Sequence, residues 1–353
     1  PERTLSAELF MISADTPERL EKILEALAAR LEHEEDLAIV ASETHSAFDI
    51  TAPCRASIVA TDNEDYAEKA GKLAWLLSSA QAEAAPRPKG VSVSLSPASP
   101  GKLAFLMPGQ GSQYVGMGRD LALAFPEART AWDLAASHKK TGKQALHNLA
   151  FPPSAYTPEE AVEQADRLTA MENAQPALAA ASLAVLAVLD KAGLSPEMAA
   201  GHSFGEIMAL QAAGALSADD ALTVAHKRAK LMAKAAASNE GAMLATQAAA
   251  EALAPILEDH PDVVIANDNA PTQTVLSGPV EAIEAARAAI EAAGIKARRL
   301  PVASAFHSPI VAGAVDPFRK ALEKVDFAKA RFPVFANVSA KRYPLAYARQ
   351  RDL

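Results

Sequence analysis

A serine set between two glycines, in Gly201-His202-Ser203-Phe204-Gly205-Glu206, is the stretch of this sequence best suited to covalent chemistry. Residues 177–189 are apolar and read as a helix, residues 197–200 read as a strand, and residues 207–215 are apolar at helical spacing. A serine on so sharp a strand-to-helix turn forms a nucleophile elbow, in which the glycines permit the tight backbone and Oγ projects above the sheet. The amide of Phe204 then opens a helix, where it can help hold an oxyanion. A glycine-lined helix start also arises without chemistry, so the pattern calls for a base, a second oxyanion donor and a substrate clamp.

His307, between Phe306 and Ser308, is the candidate base. Alone it fits an ordinary loop histidine; paired with the elbow, it is the imidazole that takes the Ser203 proton. No acidic residue stands out as its orienter, so the expectation is a Ser-His dyad whose tautomer a backbone carbonyl can fix. Arg228 follows on the helix after the elbow, and its guanidinium fork matches two carboxylate oxygens. With Lys227 and Lys230 beside it, the same position also fits a solvated helix face. Gln110, in Pro108-Gly109-Gln110-Gly111-Ser112-Gln113, offers a second oxyanion donor. That loop lacks the third glycine of a dinucleotide fingerprint and the Lys-Ser/Thr of a P-loop, which argues against a phosphate cradle.

These groups need a scaffold, and the patterning supplies one of α/β class. Residues 1–85 read as a small α+β domain: strands over 5–13 and 55–61, a helix from Pro17 to about 33 and another over 63–79. The Pro-, Ser- and Lys-rich stretch 86–100 reads as a connecting segment. Residues 101–239 and 301–353 form an α/β-hydrolase-like large domain with a parallel sheet. Its strands fall at 103–107, before the elbow, and at 334–338, with helices at 117–138, from 174 toward the elbow, and at 218–238. Residues 240–300 run β-α-β-β-α-β, the split motif of a ferredoxin-like subdomain, with strands at 243–246, 263–266, 274–276 and 295–300. An insertion of this kind leaves a cleft beside the elbow, where a substrate would lie.

Composition limits the alternatives. A net charge of -9 without a basic stripe argues against a nucleic-acid partner. A single cysteine, Cys54, excludes an internal disulfide framework and points to a reducing, cytoplasmic compartment. The histidines show no zinc spacing, so no metal site is expected. The apolar run 176–189 is short for a bilayer, which argues against a membrane partner. Pro1 in place of an initiator methionine suggests a piece of a longer polypeptide.

Taken together, Pro108-Gly-Gln-Gly-Ser-Gln113, Gln175-Pro-Ala-Leu178, the elbow, Arg228-Ala-Lys-Leu-Met232, Ala305-Phe-His-Ser308 and Ala336-Asn-Val338 resemble the acyltransferase family that loads malonyl groups onto acyl carrier proteins. The motifs stand in family order over residues 101–340. Residues 1–100 resemble the linker that joins a ketosynthase to such an acyltransferase in a multidomain synthase. Phenylalanine after the elbow serine resembles the polyunsaturated fatty acid and enediyne types.

The resemblance implies Ser203 as nucleophile and His307 as base, then acid. It implies an oxyanion hole from the amides of Gln110 and Phe204, with Arg228 gripping the distal carboxylate of malonyl-CoA. Phe306 would restrict room for an α-methyl group, although Ser304 stands where malonyl-selective members carry histidine. His202, Gln175 and Asn267 would border the substrate. Also implied are no bound cofactor, malonyl-CoA as substrate, and an acyl carrier protein and a neighbouring ketosynthase domain as partners. The family's closing segment is not found before Leu353. The rival readings are a thioesterase-type serine hydrolase, which would need an acid between Ser203 and His307 and no Arg228, and a non-catalytic docking module.

Overall fold

The computed structural model describes residues 6–33, 35–78, 86–97, 101–138, 145–237, 240–300, 302 and 304–344. The chain divides into two compact units, Pro1–Gly101 and Lys102–Leu353.

In the first unit, β1 (Glu8–Ala14) is followed by α1 (Pro17–Glu32), α2 (Leu37–Ala47), β2 (Cys54–Ala60), α3 (Asn63–Leu77) and β3 (Val91–Ser94). The strands pair antiparallel in the order β1-β2-β3. Leu20, Leu24, Val40, Tyr66 and Leu73 of the helices close over Phe10 and Ile58 of the sheet. α1 begins as the sequence predicts: the Thr16 side chain accepts from the Arg19 amide, and Pro17 occupies the first turn.

Two elements were not expected. The β-branched and polar residues of α2 mask its helical period, yet Asp36 caps it and Val40, Ala41 and Thr44 are buried at helical spacing. Strand β3 falls within 86–100, the stretch expected to be only a connector. Val91 and Val93 alternate onto the core and complete the sheet, so the first unit does not end at residue 85.

The second unit opens with β4 (Ala104–Met107), α4 (Arg119–Ala124), α5 (Pro126–Ser137), α6 (Leu146–Ala150), α7 (Pro158–Thr169) and α8 (Met171–Lys191). The single helix expected over 117–138 is two, because Pro126 cannot continue α4 and instead starts α5. Between 138 and 174, where no helix was expected, Thr157 caps α7 at Pro158. α8 has 21 residues and is long and apolar enough to cross a bilayer by length and composition. Here it is a core helix: Ala177, Ala179, Ala180 and Ala184 are fully buried, and it packs on α5 and on the second helix after the elbow, Ala218–Ala236. Small side chains let these helices approach closely.

Next come β5 (Met198–Gly201), α9 (Gly205–Ala212) and α10 (Ala218–Ala236). Residues 241–299 then form β6 (Gly241–Thr246), α11 (Ala250–Leu257), β7 (Val264–Ala270), β8 (Gln273–Pro279), α12 (Val280–Ala292) and β9 (Ala297–Arg299). Their antiparallel sheet has the order β7-β8-β6-β9. β7 outruns its expected end at 266 and carries two register shifts, between Ile265 and Asn267 and between Asp268 and Ala270. Such bulges re-aim side chains beside functional sites. A 3-10 turn (Pro309–Ala314), α13 (Val315–Leu322) and β10 (Val334–Phe335) complete the described chain. β4, β5 and β10 form a parallel sheet in the order β10-β5-β4. β10 pairs over only two residues, not the five expected, because the chain turns back after Phe335 and Tyr343 N–H bonds to Val334 C=O at 2.8 Å.

Candidate active site

Ser203 sits between the end of β5 and the start of α9 with φ 52°, a left-handed conformation that costs a serine about 1–3 kcal/mol. The two flanking glycines make the turn possible. A Cβ on Gly201 would stand 2.0 Å from the Gly205 carbonyl carbon, and one on Gly205 would stand 2.2 Å from the Met107 oxygen. No side chain fits either position, so the strand, the helix and β4 meet backbone to backbone.

The Oγ of Ser203 lies 2.8 Å from Nε2 of His307, 104 residues away in the chain. His307 is also left-handed, with φ 57°. Its turn is held by Ser308, whose hydroxyl donates to Ala305 C=O at 2.7 Å and accepts from Ile310 N–H at 3.3 Å. Desolvation in the cleft, then the nearby Arg228 and His202, hold the His307 imidazole below its ordinary range. It is therefore neutral at pH 7 and ready to accept a proton. The carbonyl expected to orient the ring is not found: among the described residues Nδ1 of His307 has no hydrogen-bond partner.

Arg228, from α10, brings Nη2 to 3.3 Å from Ser203 Oγ and donates from Nη1 to Gln175 Oε1 at 2.9 Å. Among the described residues no carboxylate comes within ion-pair distance of it. Burial lowers its pKa to about 10, while Glu206 acts in the opposite sense. Helix geometry thus turns Arg228 inward, and the solvated-face alternative fails. Gln175 is fully buried and donates from Nε2 to Gln110 Oε1 at 3.0 Å, so one amide bridges the arginine and the 108–113 loop. Neither the Gln110 nor the Phe204 backbone amide has an acceptor among the described residues, which leaves both available to an oxyanion.

Ser203, Arg228, His307, Gln110 and Asn267 line one cleft of about 720 Å³, together with His202 and Phe306. Phe306 is buried against Met232, Met243 and Val275, forming an apolar wall. Nε2 of His202 lies 3.0 Å from Oδ1 of Asn269 on β7, so this residue ties the elbow to the bulged strand as well as bordering the cleft. A second chamber of about 440 Å³ shares Ser203, Arg228, Asn267 and His307. Among the described residues no group of three or more His, Cys, Asp or Glu could hold a metal ion.

Three partners of the elbow have no role that the sequence made visible. Asn337 accepts from Ser203 N–H at 2.8 Å and donates from Nδ2 to Gly201 C=O at 2.7 Å. Glu206 Oε1 accepts from Asn337 N–H at 2.7 Å and from the Tyr343 hydroxyl at 3.0 Å. Glu206 closes the elbow motif and Asn337 lies in the last matching motif, so both stood out as positions but not as roles. Nothing in the sequence singles out Tyr343.

Comparison with known proteins agrees with this geometry. Residues 104–350 match the family model described as the acyl transferase domain. The Malonyl CoA-acyl carrier protein transacylase of Bacillus subtilis is 38% identical over 245 residues, which covers 68% of this chain and 73% of that protein. One polyunsaturated fatty acid synthase polypeptide of a Thraustochytrium species is 32% identical over 313 residues, 84% of this chain but 10% of that protein. The acyltransferase domain from module 8 of the salinomycin polyketide synthase superposes with a TM-score of 0.74 at 27% identity, covering 96% of this chain and 76% of that one. An elbow serine paired with a histidine, two unclaimed amides, an inward arginine and a family match over most of the chain lead to one conclusion: this protein belongs to the acyltransferase family.

Proposed function

We propose that the protein transfers a malonyl group from coenzyme A to the phosphopantetheine thiol of an acyl carrier protein. The observation that carries this reading is Arg228: a guanidinium without an ionic partner among the described residues, 3.3 Å from the nucleophile. A cation drawn out of water is costly unless an anion meets it, so the site is matched to an acyl group that ends in a carboxylate.

In the first half-reaction Ser203 Oγ attacks the thioester carbon and His307 Nε2 takes its proton. The amides of Gln110 and Phe204 receive the oxyanion, and the CoA thiolate leaves with the proton from His307. The second half-reaction repeats these steps with the carrier thiol as nucleophile, returning the proton to Ser203. Arg228 holds the malonyl carboxylate through both, and Phe306 limits the space beside the α-carbon. The chemistry calls for no cofactor.

We read the large part of the second unit as α/β-hydrolase-like. The β-α-β-β-α-β order and the β7-β8-β6-β9 sheet support a ferredoxin-like reading of the insert. The alignment with the Thraustochytrium synthase covers more of the chain than residues 104–353 can supply, which supports a ketosynthase-side linker for the first unit. A cytoplasmic setting goes with the single, buried and unbridged Cys54.

Radiolabelled malonyl-CoA tests the proposal. Label should appear on Ser203, pass to a carrier thiol faster than to water, and be absent from Ser203→Ala. Release as free malonate with carrier present would indicate a hydrolase, and no labelling at all a docking module.

A further inference from the structure

The parallel ladder between β10 and β5 stops at the Phe335–Ala200 pair, just before the elbow. Beyond that point a side chain takes over. The carboxamide of Asn337 meets the Gly201 carbonyl and the Ser203 amide at 2.7 and 2.8 Å, doing for the elbow what a peptide unit of β10 would do for a strand. Ser203 needs this, because β5 ends at Gly201 and leaves the Ser203 amide outside the β4–β5–β10 ladder. A bridging water could satisfy the same two groups, but it would not tie them to the segment that follows β10.

Asn337 is itself anchored. Its backbone N–H bonds to Oε1 of Glu206, on the first turn of α9, and the Tyr343 hydroxyl donates to the same oxygen. The turn that carries Asn337 is closed by Ala336 N–H to Lys341 C=O at 2.8 Å and by Tyr343 N–H to Val334 C=O. One hairpin therefore grips both flanks of the nucleophile, the strand that enters it and the helix that leaves it.

We propose that Asn337 is a positioning residue for acyl transfer, with Glu206 and Tyr343 as its support. By fixing the Ser203 backbone it sets Oγ against Nε2 of His307 and aims the Phe204 amide at the oxyanion. Its side-chain bonds go to the backbone of the elbow, to Gly201 and Ser203. The inference rests on the acyl-transfer reading given above.

The test uses the full chain and separates kcat from KM for transfer from malonyl-CoA to a carrier thiol. Asn337→Ala should lower kcat roughly 30- to 100-fold, the order expected when a reacting group shifts by about an ångström, with KM within about threefold. Asn337→Asp keeps the acceptor for Ser203 but loses the donor to Gly201, and should fall between Asn337→Ala and the wild type. Tyr343→Phe removes only the outer support, and should lower kcat about three- to tenfold with the same unchanged KM. Malonyl-CoA should bind equally to Ser203→Ala with and without Asn337→Ala.

An unchanged kcat in Asn337→Ala, or a loss confined to KM, would overturn the proposal. If Asn337→Ala fails to fold, Tyr343→Phe decides, and an unchanged kcat there would likewise overturn it. A wild-type protein that forms no acyl-enzyme defeats the acyl-transfer reading itself, and is told apart because it has no activity for these variants to lose.

Discussion

Replacing Arg228 by alanine should collapse the preference for a dicarboxylic acyl group, and the size of the effect follows from the arginine's surroundings. Burial brings its pKa down to about 10, which corresponds to about 3 kcal/mol of lost hydration on the cation. A malonyl carboxylate meeting the fork restores that loss and adds charge-assisted hydrogen bonds. Truncating one partner of such a pair costs about 3–5 kcal/mol, since the other charge is left buried and unmatched. For malonyl-CoA this predicts a fall in kcat/KM of roughly 10²- to 10⁴-fold.

Acetyl-CoA provides the control, because it has no carboxylate but depends equally on Ser203. Arg228 also contacts Ser203 Oγ and Gln175, so part of any loss will be common to both donors. The ratio of malonyl to acetyl loading cancels that part. Intact-mass measurement of acyl-enzyme formation, with the two thioesters in competition, reads the ratio directly. It should drop at least about 100-fold in Arg228→Ala. A ratio within about threefold of wild type would refute the assignment of Arg228 as the anion receptor.

Other expectations concern the base, the turn and the wall. With the His307 pKa held down, the imidazole stays neutral as pH falls from 7, and acylation declines only well below 6.5, when the ring finally protonates. Arg228→Gln removes a positive neighbour, so the acidic limb for acetyl-CoA should move up in pH; a limb that stays put or moves down would contradict the coupling. Gly205→Ala drives a methyl into the Met107 carbonyl, and should cost about 1–3 kcal/mol of stability by thermal unfolding while abolishing acylation. Phe306→Ala opens the wall beside the acyl group, and methylmalonyl-CoA should gain roughly tenfold against malonyl-CoA in competition. No gain would remove Phe306 from that role.

Much of this was legible in the residues because it depends on local chemistry. The elbow glycines, Thr16 before Pro17, and the short apolar runs that mark the strands of residues 240–300 each encode their geometry within a few positions. What escaped depended on distance. Val91 and Val93 form a strand only because β2 stands beside them, so a polar, proline-bearing neighbourhood hid it. The break at Pro126 was readable from proline's missing N–H, yet apolar residues on both sides read as one helix. The inward turn of Arg228 could not be told from a solvated face while its neighbours were two lysines. The bulges of β7 bring Asn267 and Asn269 to the cleft through pairing irregularities with β8, which leave no mark in the sequence. Asn337 acts through a bond that spans 134 residues, and Tyr343 supports it at one further remove.

The central claim is that the nucleophile and the anion receptor serve one acyl group. A crystal structure of the malonyl adduct on Ser203 tests it most directly, formed by soaking with malonyl-CoA in the absence of any carrier thiol so that the acyl group has no acceptor. The account predicts the free carboxylate against both Nη atoms of Arg228, at roughly 2.7–2.9 Å, with the ester carbonyl oxygen facing the amides of Gln110 and Phe204. A carboxylate pointing into solvent while Arg228 stays on Gln175 would contradict it.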